Sequence, residues 1–307
     1  MEIVRLRHPF AAFVLCVSLA TALAQTRTPS TLDPSYQQSF EKWKAELIED
    51  RKQNWLTLVG LFWLKPGENS FGSDKQSAIV LPGNPAPPHA GSFLLQGKDV
   101  MLNVLPGIPV SIDGKRVSTA KLDPDVSGHP SFVELGSLRM HVILRGERAG
   151  IRVKDLKNPA IVKYVGPTFY PLDAAYVVEA DWMPSDGKRL VQVPNVLGDV
   201  TATPVVGEAR FQLAGQELRL VAVGGDSAHG LFIIFNDPTR KTETYPAGRF
   251  LDTDAVQNGK VTLDFNRAYN PPCALTPYAT CPLPPKENQL AVEIKAGEKY
   301  DHTHPAH

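Results

Sequence analysis

The chain has 307 residues, 32 basic and 32 acidic side chains, three cysteines and 43% hydrophobic residues. Such an even balance offers no dominant positive field to a nucleic acid or an anionic membrane. The length suits one large β domain or two smaller ones sharing an interface.

Residues 1–24 read as a cleavable secretory signal: Arg5 and Arg7, the apolar run Phe10 to Ala20, then the small-x-small triplet Ala22-Leu23-Ala24. The apolar run falls short of the roughly 20 residues of a membrane span. Leu15 precedes Cys16 where a lipoprotein site wants a small residue, so no stable membrane anchor is expected after cleavage. Cleavage removes Arg5, Arg7 and Glu2, taking two from the 32 basic and one from the 32 acidic residues, so the mature charge is near −1. It also leaves only Cys273 and Cys281. In an exported chain, periplasmic or extracellular, that pair reads first as one disulfide.

The segment 25–53 carries one amphipathic helix. Asp33-Pro34 supplies an N-cap and a proline at the first helical position. Tyr36, Phe40, Trp43 and Leu47 follow at helical spacing, a stripe read as core packing, and the helix is expected to end near Lys52. Residues 54–158 open with Asn54 to Leu64, apolar nearly throughout and interrupted by Gly60, hence a buried strand or one with a bulge. Trp55, Phe62 and Trp63 are placed to cement helix to sheet.

Short alternating runs then follow: Ala78 to Leu81, Ser92 to Gln96, Val100 to Val104, Val110 to Ile112, Phe132 to Leu135, Leu138 to Arg145 and Ile151 to Lys154. Asp113-Gly114 is a two-residue hairpin signal, and Arg145 to Gly150 makes a second hairpin with a charged tip. This is the spacing of an antiparallel sandwich. His141, inside a strand, reads as a packed core histidine.

A second β region, 159–300, begins after Asn158-Pro159, with runs at Tyr176 to Trp182, Leu190 to Val193, Ala209 to Leu213, Leu218 to Val223, Leu231 to Phe235, Val261 to Phe265 and Leu290 to Ile294. Gly215-Gln216 and Gly224-Gly225 supply turns, and 301–307 is a terminal tail. The fold class is therefore mainly β, an antiparallel β-sandwich or barrel-like sheets with one N-terminal amphipathic helix.

The stretch from Leu263 to Leu290 is too long and too rich in proline to be an idle connection. Asp264, Asn266, Arg267, Tyr269, Asn270, Thr276 and Asn288 lie within it, with Glu243, Tyr245 and Arg249 just before. Arg249 and Arg267 are suited to grip an anion bidentately, and Tyr269 to stack on a ring. The plainer alternative is that these groups satisfy the loop's own backbone. Cys273 and Cys281 would crosslink it. A zinc site would have to draw on His302, His304 and His307 at the terminus, and no metal is expected. There is no G-x-S-x-G, H-E-x-x-H, P-loop or dinucleotide fingerprint, and no cofactor is expected. Gly225-Asp226-Ser227 reads as a turn.

DFNRAYNPPCALTPYATCPLPPKEN, with TETYPAGRFL at Thr242 to Leu251, NWLTLVGLFWL and ENSFGSDKQSAIVLP at Glu68 to Pro82, resembles the bacterial domain-of-unknown-function family 1684 over residues 40–300. That likeness implies a β-rich fold and an unusual loop, and names no substrate. Within it, Phe71 to Val117 is similar to a degenerate forkhead-associated domain. Functional members hold phosphothreonine with an Arg and a Ser at the positions occupied here by Ser73 and Ala86. Without the charged fork the phosphate loses its charge-assisted bonds, so only the sandwich topology carries over, and His89 reads as a loop residue.

Two functions fit. One is an exported module that binds a small anionic or sugar-like ligand at the 264–288 loop. The other is a hydrolase using Asp264 and Glu243 as acid and base, with the arginines as clamps.

Overall fold

The computed structural model describes residues 32–82 and 84–303. The expected signal segment, together with His304 and His307, lies outside them.

The helix Pro34–Asp50 starts where expected, with the Asp33 carboxylate accepting from the Ser35 and Tyr36 N–H groups. It does not close on an ordinary turn. The backbone widens into a π-helical turn, Arg51–Trp55, that carries Arg51 inward. There Arg51 meets Glu298 in a fully buried bidentate pair at 2.9 and 2.6 Å. Because Asn54 and Trp55 belong to that turn, the first strand begins only at Leu58 and runs to Trp63, with the expected irregularity between Leu58 and Gly60. The helix packs on the second β region: Phe40 and Trp43 meet Phe169, and Trp43 and Trp55 meet Tyr269. Of the three residues expected to cement it, only Trp55 is so used; Trp63 lies under Arg148.

Two sheets form the N-terminal sandwich. In one, Leu58–Trp63, Arg148–Asp155, Leu138–Arg145, Val133–Leu135, Ser111–Ile112 and Lys115–Arg116 are neighbours in that order. The other runs Ile79–Val80, Gly67–Gly72, Gly91–Gln96, Asp99–Val104, Thr119–Leu122, antiparallel except for the short Phe71/Ile79 pairing. Phe71, Phe93, Leu102, Met140, Ile151 and Val153 fill the core between them. At the Asp113-Gly114 turn both residues take positive φ, 50° and 74°, as a two-residue hairpin joining Ile112 to Lys115 requires.

The second region has three antiparallel sheets: Gln216–Ala222, Gly207–Leu213, Val177–Pro184 and Lys260–Asp264; Gly224–Asp226, Gly230–Phe235 and Arg249–Asp252; and the pair Leu190–Pro194 and Val200–Pro204. Phe211, Phe235, Leu251, Leu263 and Phe265 share one core. Another cluster joins Leu58 of the sandwich to Val193, Ile234, Phe250, Cys273 and Cys281, so the two halves meet through packed side chains. No barrel closes among the described residues.

One expected strand is absent. Leu290, Val292 and Ile294 point inward by turns, as their alternation predicts, yet this stretch joins no sheet. Its start makes one backbone bond, Leu290 N–H to the Asn236 carbonyl at 2.8 Å, and further on side chains take over: Ile294 N–H donates to Asp237 at 2.8 Å, and Arg249 donates to the carbonyls of Ile294 and Ala296. Alternation reports burial on one side and is silent on who receives the hydrogen bonds.

Candidate functional site

Most polar residues of the long loop are occupied in building it. Arg249, 1% exposed, pairs with Asp237 at 2.9 Å besides its two carbonyls. Asn288, fully buried, bonds both the N–H and C=O of Val221 and the C=O of Ile234 at 2.8 to 2.9 Å. Asn266 bridges Asp173 to the Tyr36 hydroxyl. Asn270 takes its place beside Glu298 and Lys299, and Tyr245 donates to the Cys273 carbonyl at 3.1 Å. Thr276 accepts from the Tyr278 N–H.

Asp264, Arg267 and Tyr269 form a second group. The Tyr36 hydroxyl lies 2.8 and 2.9 Å from the two Asp264 oxygens, Arg267 lies 3.2 Å from Asp264 and bonds Ser39, and Tyr269 donates to Asp252 at 2.6 Å. Burial raises both carboxyl groups above the ordinary range. Asp252, Asp264, Arg267, Tyr36 and Trp43 line a hollow of about 320 Å³. Glu243 does not line it; Tyr170 and Lys295 hold that carboxylate elsewhere.

The expected disulfide is not formed. Cys273 and Cys281 stand as two buried thiols, with the Cys273 N–H donating to Cys281 Sγ at 3.1 Å. The Cys281 thiol also bonds the Cys273 sulfur, which holds Cys273 below and Cys281 above the ordinary thiol range. The proline-braced chain thus sets the sulfurs at hydrogen-bonding rather than bonding reach.

The loop's other side tells a different story. Pro272 and Ala279 to Pro282 face the outer surface of the sandwich across a hollow of about 450 Å³, completed by Asn54, Trp55, Leu58, Phe132, His141, Arg152, Lys154 and Phe250. Its floor follows from strand alternation. In Leu138–Arg145 and Arg148–Asp155, one face buries Leu138, Met140, Val142, Ala149, Ile151 and Val153 in the core. The opposite face carries Arg139, His141, Arg145, Arg148, Arg152 and Lys154, with His141 directly across from Arg152 and Arg139 across from Lys154.

Neighbouring cations on that face are neutralised: Arg139 by Glu134, Arg145 by Asp125, Arg148 by Asp199. Arg152 and Lys154 differ. Their side-chain partners are the Thr280 hydroxyl at 3.2 Å and the Asn54 oxygen at 3.3 Å, and Arg152 Nε has no partner among the described residues. Burial lowers the affinity of each for its proton, and the next contribution is the neighbouring cation, Arg145 for Arg152 and Arg152 for Lys154. Burial likewise, helped by Arg152, pulls His141 down to about 4, so its ring is neutral at pH 7. His141 Nδ1 also lacks a partner among the described residues, and Phe132 meets the ring edge-on at 5.5 Å. No carboxylate among the described residues lines the hollow. The arrangement can hold negative charge at its polar end and flat apolar surface along the rest.

Arg152 and Lys154 were within reach of sequence reasoning. R-x-H-x-x-x-R at Arg139 to Arg145, followed across a hairpin by R-x-x-x-R-x-K at Arg148 to Lys154, puts every cation on one strand face. What the spacing could not supply is the cover, which comes from residues 272–282.

Residues 162–299 match the model of a family described as "Protein of unknown function (DUF1684)". No curated protein matches the chain. An uncharacterised protein of Haloarcula marismortui, solved by NMR, is 30% identical over a match covering 47% of this chain and 80% of that one, with a TM-score of 0.39. An FHA domain solved in a study of phosphothreonine-dependent interactions is 17% identical, covering 32% of this chain and 96% of its own, at a TM-score of 0.23. Mycobacterium tuberculosis EmbR, in complex with a low-affinity phosphopeptide, is 13% identical, covering 41% of this chain and 32% of its own, at 0.22. In the stretch from Phe71 to Val117, Ala86 is buried and His89 lies 3.8 Å from Asp74.

Proposed function

We propose, from the geometry of this chain, whose residues 162–299 belong to the DUF1684 family without any activity in its description, an exported module that binds a small anionic ligand between the sandwich and the 272–282 loop. The observation that carries this reading is the pair Arg152 and Lys154: two partly buried cations, side by side, with no carboxylate within ion-pair distance among the described residues. Gathering like charges in a half-enclosed space costs free energy, and a bound anion would relieve it. Arg249 and Arg267, the residues best placed by sequence, already have their carboxylates.

Hydrolysis by Asp264 and Glu243 is the less favoured reading, because the two carboxylates belong to separate hydrogen-bond networks and only Asp264 borders a hollow.

Thermal melts of the leader-free chain against millimolar sulfate, phosphate and simple carboxylates test the proposal. At least one anion should raise the midpoint, and Arg152→Gln or Lys154→Gln should abolish the rise while Arg267→Gln keeps it. No shift with any anion, or an undiminished shift in both the Arg152 and Lys154 variants, would sink it.

A further inference from the structure

The hollow above Arg152 is selective in what it could hold. Its polar end is small: Arg152, Lys154, Thr280, Asn54 and the neutral His141. Only two of those carry charge, which suits a ligand with one anionic group and not a polyphosphate.

Thr280 adds direction. Its hydroxyl oxygen accepts from Arg145 Nε at 3.3 Å and from Arg152 at 3.2 Å. A hydroxyl has two lone pairs and one proton. With both lone pairs turned to guanidinium groups, the proton is left to donate to something in the hollow. An anion's oxygen would therefore meet three donors from two elements, the strand bearing Arg152 and Lys154 and the loop bearing Thr280.

The rest of the lining is apolar and largely aromatic. Trp55 and Phe132 are half-buried, Phe250 stands edge-on to Tyr269, and Leu58, Pro272, Ala279 and Pro282 complete the wall. A sugar needs polar partners around its whole rim, and this wall has almost none to offer. A flat ring would bury its faces against these aromatic side chains. About 450 Å³ falls within the range of small-molecule sites.

Resting on the anion-binding reading above, we infer that the ligand class is an aromatic monocarboxylate of one or two rings, its carboxylate on Arg152, Lys154 and Thr280 and its ring against Trp55, Phe132 and Phe250. The three cations neutralised by Glu134, Asp125 and Asp199 flank the site without competing for the carboxylate. Arg145 acts through Thr280 as a positioning residue.

Calorimetric titration of the leader-free chain with benzoate, trans-cinnamate and 2-naphthoate tests the assignment, with glucuronate, inorganic phosphate and 2-naphthamide as comparators. Intrinsic fluorescence is followed in parallel, because Trp55 borders the hollow. The aromatic carboxylates should bind, quench in wild type but not in Trp55→Phe, and weaken at least about tenfold in Arg152→Gln and in Lys154→Gln. Phe132→Leu should weaken 2-naphthoate while leaving phosphate unchanged. If phosphate or glucuronate binds as tightly as 2-naphthoate and is still lost in Arg152→Gln, the ligand class is wrong and the anion site stands. Equal binding of 2-naphthamide also refutes the class. If no anion binds, or if neither cation variant alters binding while both melt as folded proteins, the anion site itself fails and the class falls with it.

Discussion

His141 offers the sharpest check on the electrostatics of the hollow. The residue is 8% exposed, has no partner at Nδ1 among the described residues and faces Arg152 across the strand pair. Burial first, and then Arg152, pulls it from the ordinary 6.5 to about 4. The sign follows directly. Between those values the unfolded chain binds a proton that the folded chain refuses, so stability falls as the pH is lowered from 6.5 towards 4 and is independent of this group above 6.5. At about 1.4 kcal/mol for each pH unit separating the two values, the loss approaches about 3 kcal/mol at pH 4. Other groups titrate in the same window, so the quantity to measure is a difference. Urea unfolding of the wild-type chain and of His141→Phe at pH 7.5, 6, 5 and 4 should show the wild type losing about 3 kcal/mol more than the variant over that span. Phenylalanine keeps the edge-on contact with Phe132 and cannot charge. Two pH profiles that run parallel would refute the claim that His141 is held neutral beneath a cationic floor.

Arg249→Met removes the fully buried partner of Asp237 and frees the carbonyls of Ile294 and Ala296, so urea unfolding should record a loss of about 3 to 5 kcal/mol; a loss below about 1 kcal/mol would return Arg249 to the ligand-binding candidates. Cys273 and Cys281 are 5% and 4% exposed, so the leader-free chain should yield two thiols to Ellman's reagent quickly in denaturant and slowly when native. No thiol in denaturant would mean that the disulfide expected from sequence exists after all.

The sandwich half was legible because its signals are local. Asp113-Gly114 dictates a hairpin whatever surrounds it, and the run Leu138 to Arg145 emerges with the bounds its alternation gives. Asp33-Pro34 set the start of the helix for the same reason. Its end, expected near Lys52, lies within two residues of the observed Asp50; the π-helical turn that follows was not legible, because it depends on Arg51 leaving the solvent side to meet Glu298, 247 residues away. Leu290 to Ile294 misled in a similar way. Extended backbone and inward alternation are properties of that stretch alone, whereas membership of a sheet depends on whether a neighbouring strand or a side chain such as Asp237 receives its N–H groups.

The polar loop stands out in the sequence by its length and its prolines, and most of its polar side chains are occupied in bonds that hold the fold. A stretch with six prolines from Pro271 to Pro285 has few amide donors; Leu283 N–H and the Cys281 carbonyl pair with Pro194 and Val196, and the irregular chain on either side is held by side chains that satisfy its polar groups. Asn288, with three backbone partners, and Arg249, with two carbonyls and a carboxylate, are what that satisfaction looks like. The stiffness so obtained places Thr280 above the sandwich, where Arg145 and Arg152 reach its hydroxyl. Residue type alone cannot separate an arginine that braces a loop from one that waits for a ligand. The difference is whether a carboxylate lies within reach, and for Arg152 and Lys154 the sequence holds no hint of that, since Asp155 follows immediately and bonds Ser137 instead. Cations on one strand face become a candidate site only when a second element covers them without bringing an acid, and that condition is a property of the folded chain, written in neither segment by itself.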